Sequence, residues 1–219
     1  MSSSSHIKSV VGIAAAVWFI IALVTGADAT NFLKYFSMVA SIVTLLFLAY
    51  DRFLWRLSVV RRFTGKPSLA GTWRGQLKSS YVRPDESTPV TPIPVVIRVT
   101  QSNSVLTVTQ FTDESISKSD RGQLVKESDG RWCMSWIYEN APRAEVRDRS
   151  DRHLGYCDLT LSGSAAGETL VGQYFTDRNT RGEIEFSEYS KNYYPDAKTA
   201  LASADFKRAY PFVDIKNIS

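Results

Sequence analysis

Cysteine and histidine are scarce in this chain, two of each in 219 residues: Cys133, Cys157, His6 and His153. None of them stands in a CxxC or HxxxH spacing, so no metal is expected. There is no G-x-S-x-G elbow and no local Cys–His pairing, and the carboxylates are scattered over strand faces that read as solvated. The chain is therefore not expected to be an enzyme, and His153 reads as a solvated side chain. No glycine-rich loop follows a strand and opens a helix, which disfavours a nucleoside triphosphatase. No cofactor is expected.

Charge is absent from two long stretches, Ser9 to Ala27 and Tyr35 to Tyr50. A helix needs about 20 apolar residues to cross the hydrocarbon of a bilayer, and the second stretch reaches that length if Lys34 and Arg52 snorkel at its ends. The connection between the stretches is short, so residues 1–50 are expected to form a two-helix transmembrane hairpin. Gly12, Ala14, Ala15 and Ala16 in one stretch and Ser37, Ala40 and Ser41 in the other allow close helix contact. A competing reading takes Ala27–Ala29 as a signal-peptide cleavage site, although the preceding apolar run is long for such a peptide.

The net charge of +4 is unevenly spread. Residues 1–66 hold seven basic and two acidic side chains, and the remainder holds 19 basic and 20 acidic. The excess lies in a basic connector, residues 51–68, directly after the second apolar stretch. This is the positive-inside pattern, which puts both termini on the cytoplasmic side of a membrane and lets the tract touch anionic headgroups. The C-terminal part carries no basic excess, so direct DNA or RNA binding is not expected. A reducing compartment leaves Cys133 and Cys157 without a disulfide.

From Leu69 the pattern becomes short β-like runs separated by turn signals such as Ser102-Asn103, Ser128-Asp129-Gly130 and Asn179 to Gly182. Connections this short give antiparallel hairpins, and about eight such strands suit a sandwich or a small closed barrel. Residues 69–219 thus read as one β domain. The proline-rich 81–94 and the charged 140–153 read as loops, the second one mobile, each long enough to cover a barrel mouth. Ala197, Leu201, Ala204 and Phe206 fall at roughly helical spacing and predict one short C-terminal helix.

Four places invite a functional reading. In "LAGTWRGQL" Trp73 is expected to plug one end of the β domain, while Arg74 points away from it and is a freer candidate for a ligand. In "RWCMSWIYEN" Trp132, Met134, Trp136 and Tyr138 share one strand face, either as core or as rings that stack on a flat guest. In "GQYFTDRNTRGEIEF" Tyr174, Thr176 and Arg178 share a face, with Thr180 just beyond. Tyrosine can stack, threonine can donate or accept, and arginine can grip a phosphate bidentately. An exposed strand face would show the same pattern. An inward Arg178 would itself argue for an anionic guest, because a lone buried guanidinium is costly.

Taken together, the two N-terminal apolar segments, the basic connector, "GTWRG" and "YFTDRNTRG" resemble the two-transmembrane, β-barrel effectors of CBASS, the bacterial cyclic-oligonucleotide anti-phage system, within the CD-NTase-associated proteins. The resemblance implies a membrane-anchored all-β protein, with a minimal antiparallel eight-stranded barrel after the hairpin. That barrel would bind a cyclic dinucleotide made by a partner nucleotidyltransferase. Binding would drive homo-oligomerisation, disruption of the lipid bilayer and death of the infected cell. The family motif falls on Gly71, Trp73 and Gly75, and on Tyr174, Thr176, Arg178, Thr180 and Gly182. With Arg74, Trp136 and Tyr138 added from the strand readings, Tyr174, Thr176, Arg178 and Thr180 make up the expected ligand-binding set. The alternatives are a lipocalin-like barrel for a lipid or other small apolar molecule, and an interaction module with a filled core and no ligand.

Overall fold

A computed structural model describes residues 12, 14–21, 23, 24, 26, 29–82, 87–89, 92–164 and 167–208. The chain divides into two compact units, Met1–Phe63 and Thr64–Ser219.

In the first unit residues 14–21 are helical, α1 spans Ala29–Arg52, a 3-10 turn follows at Leu54–Arg56, and α2 spans Ser58–Thr64. No helix among the described residues is long and apolar enough to cross a membrane. This overturns the transmembrane hairpin expected over residues 1–50, and with it the membrane-anchored fold class. The physical reason is length and dilution. The charge-free part of α1, Tyr35 to Tyr50, rises only about 24 Å at 1.5 Å per residue, against a hydrocarbon core of about 30 Å. Within it Ser41 and Thr44 spend their hydroxyls on the carbonyls of Ser37 and Ala40, at 2.8 Å each. Most of the cleavage motif at 27–29 lies outside the described residues.

The second unit is built on period-two alternation. Its strands are β1 Gly71–Ser79, β2 Ile93–Gln101, β3 Leu106–Phe111, β4 Ser115–Lys126, β5 Trp132–Pro142, β6 His153–Ser164, β7 Gly167–Thr176, β8 Arg181–Ser190 and the two-residue β9 Lys207–Arg208. Each pairs antiparallel with the next, and β1 also pairs with β8 from Thr72↔Ser190 to Ser79↔Gly182. That last pairing closes eight strands into a barrel and removes the free edges. β9 pairs with β8 on the side away from the seam, at Glu188↔Arg208 and Tyr189↔Lys207. The turn-like sequence Asp120-Arg121-Gly122 does not end a strand: β4 runs through it with a register shift against β5 between Lys118 and Gly122, a bulge instead of a hairpin.

Inward positions are filled from one end by large apolar groups. Trp73 is fully buried and donates from Nε1 to the Leu69 carbonyl at 3.0 Å. Its ring packs on Tyr189 with centroids 5.0 Å apart. Gln101 closes the same end by accepting from Leu69 N at 2.7 Å and donating to the Pro67 carbonyl at 3.1 Å. Met134, Trp136, Leu159, Leu170, Ile184 and Phe186 continue the core above this plug. A second, outer cluster forms where α3, Ala197–Ala202, lays Ala197 and Ala200 with Phe206 against Val96 and Phe111. Asp196 caps this helix, accepting from Thr199 N at 2.8 Å.

The seam depends on Gly75. β1 shifts register against β8 between Arg74 and Gly75, and there a Cβ on Gly75 would lie 1.9 Å from the Glu185 carbonyl oxygen. Substitution Gly75→Ala is expected to cost about 1–3 kcal/mol, because one of the two closing strands must back away. Urea denaturation of the variant, with an unchanged m-value, checks this.

Candidate functional site

The far end of the barrel is open and polar. A cavity of about 300 Å³ lies there, at the small end of the range for ligand sites. Inward positions that carry Val, Leu and Trp near the plug carry Ser79, Gln110, Ser117, Asn140 and His153 at this mouth. Strand register arranges four of them as a belt: Gln110 opposite Ser117, Ser117 opposite Asn140, Asn140 opposite His153.

Tyr174 and Thr176 of β7 face into this cavity, so the row noted in the sequence looks at the interior and not at water. Arg178 sits in the β7–β8 turn. Asn179 takes the left-handed conformation there, φ 58, which asparagine tolerates, and Thr176 N donates to the Thr180 carbonyl at 2.9 Å to close the turn. The turn is tied to β6, since Asp177 N donates to the Leu154 carbonyl at 3.0 Å and Leu154 N donates to Asp177 Oδ2 at 3.1 Å. Arg178 is thereby aimed back over the mouth. Its Nη1 reaches Ser150 Oγ at 3.3 Å and the Asp151 carbonyl at 3.4 Å, while its buried Nε has no hydrogen-bond partner. Thr180 also lines the cavity, its Oγ1 2.7 Å from that of Thr176.

Two tyrosines make the floor. The Tyr138 ring lies on Gly155 of the next strand, where a Cβ would come 2.3 Å from Cζ. Tyr174 donates its hydroxyl to Ser79 Oγ at 2.7 Å. Burial pushes both phenols above their ordinary range, so they remain protonated donors.

The expected ligand set is thus split. Tyr138, Tyr174, Thr176, Arg178 and Thr180 come together around one cavity. Trp136 lies deeper, in the apolar core, with its buried Nε1 unpaired. Arg74 is on the outer face, away from the cavity. It pairs with Glu188 at 2.8 Å, lies 4.1 Å over the Phe206 ring, and donates to the carbonyls of Leu201 and Ser203 at 3.2 and 3.1 Å. Arg74 is a clamp on the C-terminus of α3, a place where a cation also meets the negative end of the helix.

The charged segment after β5 is not a loose surface loop. It crosses the mouth, where Val146, Arg149 and Ser150 line the cavity. Arg143 N donates to the Glu114 carbonyl at 2.9 Å, Arg149 pairs with the Glu114 carboxylate at 2.6 Å, and Tyr81 donates its hydroxyl to the Arg149 carbonyl at 3.1 Å. Gln110, Ser117, Asn140 and His153 were missed as site residues. The usable signal was a polar residue continuing an apolar alternation, as Gln110 continues Leu106 and Val108, and Asn140 continues Trp136 and Tyr138.

His153 reports the electrostatics of the mouth. Burial lowers its pKa first, the Asp151 carbonyl at 3.1 Å pulls it up, and the Arg178 charge pushes it down again. The net shift is downward, so the unfolded chain takes up the proton at a higher pH than the folded one. Stability should fall as pH drops below about 6.5 and level off once the lower folded-state value is passed. Urea midpoints at pH 7.5 and 5.5 should differ more for the wild type than for His153→Gln.

Residues 64–188 match the family described as "Cap15, cyclic dinucleotide receptor domain". The chain is also similar to the CD-NTase-associated protein 15 of Staphylococcus schleiferi, 19% identical over 186 residues that cover 84% of this chain and 96% of that protein.

Proposed function

The chain belongs to the Cap15 cyclic dinucleotide receptor family, and from that premise we propose that the polar mouth of its barrel is the nucleotide site of a CBASS effector. The observation that carries the assignment to this cavity is Arg178: a guanidinium with a buried, unpartnered Nε at the rim of a cavity floored by tyrosines. A half-buried guanidinium whose Nε has no acceptor gains from a phosphate oxygen, which supplies both the counter-charge and the acceptor. The hydroxyls of Thr176 and Thr180 extend the same subsite, and Tyr138 and Tyr174 offer ring surface to a base or ribose. Arg178 with the hydroxyls and amides at this end suits an anionic nucleotide, and the apolar part of the lining suits its bases. The site is read as a receptor and not as a catalytic centre.

In this reading the messenger comes from a partner nucleotidyltransferase, and its binding drives self-association and membrane damage. Support for self-association lies on the outer face of β5–β7. Ile137, Tyr156 and Phe175 stand opposite one another on adjacent strands, and Ile137 and Phe175 are 65% and 56% exposed. Support for a membrane step lies in the first unit, where Leu45, Leu46, Phe47, Leu48, Phe53 and Phe63 are exposed in the same segment as Arg56, Arg61 and Arg62. Apolar side chains beside arginines favour the interface of an anionic bilayer. The inner membrane, approached from the cytoplasm, is the proposed location.

Calorimetric titration of the full chain with cyclic di- and trinucleotides tests the receptor assignment, which fails if none of them binds. Sedimentation velocity with and without the bound nucleotide tests the association step; an unchanged sedimentation coefficient would remove it.

A further inference from the structure

Charge and neutral polar groups occupy different parts of the mouth. Arg178 and His153 stand toward β6 and the β7–β8 turn, Arg149 is paired with Glu114 beside Asp113 at the β3–β4 turn, and between these the strands from β3 to β5 present amides and hydroxyls: Gln110, Ser115, Ser117 and Asn140. Among these the hydrogen bonds are unequally used. Asn140 Nδ2 donates to Ser117 Oγ at 2.8 Å and to Ser115 Oγ at 2.9 Å, so both of its amide hydrogens are spent and its carbonyl oxygen is left over. Gln110 also lines the cavity, and its side-chain amide makes no hydrogen bond to any described residue. Its donor and acceptor are therefore open to a guest, at a position that continues the apolar Leu106 and Val108.

We propose that Gln110 and Asn140 form a base-reading subsite, which decides which nucleobase the receptor accepts, while the arginine side holds phosphate without regard to the base. This rests on the reading of the cavity as a cyclic dinucleotide site and deepens it. A primary amide presents a donor and an acceptor side by side, the pattern that glutamine and asparagine use to grip the amino group and ring nitrogen of adenine. Two serines lock the Asn140 amide in place, so its carbonyl oxygen is a fixed acceptor. A base with an exocyclic amine at that point is accepted. A base with a carbonyl oxygen there sets acceptor against acceptor and is rejected. Adenine and cytosine are therefore favoured over guanine and uracil.

The test titrates the full chain with the four symmetric cyclic dinucleotides of adenine, guanine, cytosine and uracil, in the wild type and in Gln110→Met, Asn140→Ala and Arg178→Ala. The wild type should prefer the amino-bearing bases by tenfold or more. Gln110→Met, which removes the amide at similar volume, should shrink that preference at least threefold. A merely structural glutamine would lower the melting temperature on substitution and leave the preference intact. Arg178→Ala should weaken every ligand by a common factor and leave the preference intact. If Gln110→Met melts early, Asn140→Ala carries the same test of preference. Equal wild-type affinity for all four ligands, or a preference unchanged in both amide variants, overturns this inference and leaves the receptor reading standing. Absence of binding by all four to the wild type removes the receptor reading itself.

Discussion

Replacing Arg178 by alanine should weaken cyclic dinucleotide binding by about 1.5–3 kcal/mol, roughly ten- to a hundredfold, while the stability of the free protein stays nearly constant. The two halves of this expectation come from the same geometry. In the free protein the guanidinium makes only long contacts, 3.3 Å to Ser150 Oγ and 3.4 Å to the Asp151 carbonyl, and its Nε makes none. Little folding energy is lost with it. In the complex a phosphate would complete its donors as a charged, bidentate pair. Arg178→Lys should fall between, since an ammonium keeps the charge but not the planar fork. Calorimetry for affinity and urea denaturation for stability measure the two effects separately. Unchanged affinity in Arg178→Ala would clear the residue of the role.

Replacing Trp73 by alanine has the opposite profile. The indole is wholly buried, seals one end of the barrel, packs on Tyr189 and satisfies the Leu69 carbonyl. Its removal opens a cavity at that end of the core and should cost about 3–5 kcal/mol. A small domain has about 5–15 kcal/mol in total, so this variant should be close to unfolding. Trp73→Phe keeps ring area but loses the Nε1–H donor, and should recover more than half of the loss. A melting temperature within a few degrees of the wild type in Trp73→Ala would show that the plug is not a pillar of the fold. Because the proposed nucleotide site lies at the other end, any surviving folded Trp73→Ala should bind its ligand with little change.

The two arginines show how far the linear reading reached. Arg74 and Arg178 both stand in motifs that resemble the family pattern, and both were candidates for a ligand. Strand parity alone put Arg74 on the face opposite Trp73, which the structure bears out, but not what covers that face. There α3, from a segment more than a hundred residues away, brings carbonyls and Phe206 to meet it. Arg178 lies in a turn, where parity no longer governs direction; the clasp between Asp177 and Leu154 aims it. The charged stretch from Asn140 to His153 read as mobile because its own composition offers nothing to pack. It is ordered by Glu114 and Tyr81, which sequence order places far from it. At the N-terminus the apolar character was visible in the sequence, but among the described residues no helix is both long and apolar enough to cross a membrane.

Sequence by itself settled the period-two side-chain pattern of the second unit, its antiparallel succession of strands, its tryptophan plug and the shared face of Tyr174 and Thr176, though not that this face looks inward. These depend on neighbours one to four positions apart. Only the tertiary structure decided that the sheet closes between β1 and β8, that the polar end of the interior stays open, and that Gln110, Ser117, Asn140 and His153 form one belt. Register between strands sets those facts. A slip of one residue in any pairing would turn each of these side chains to the outside, and no local pattern in the chain records which pairing is made.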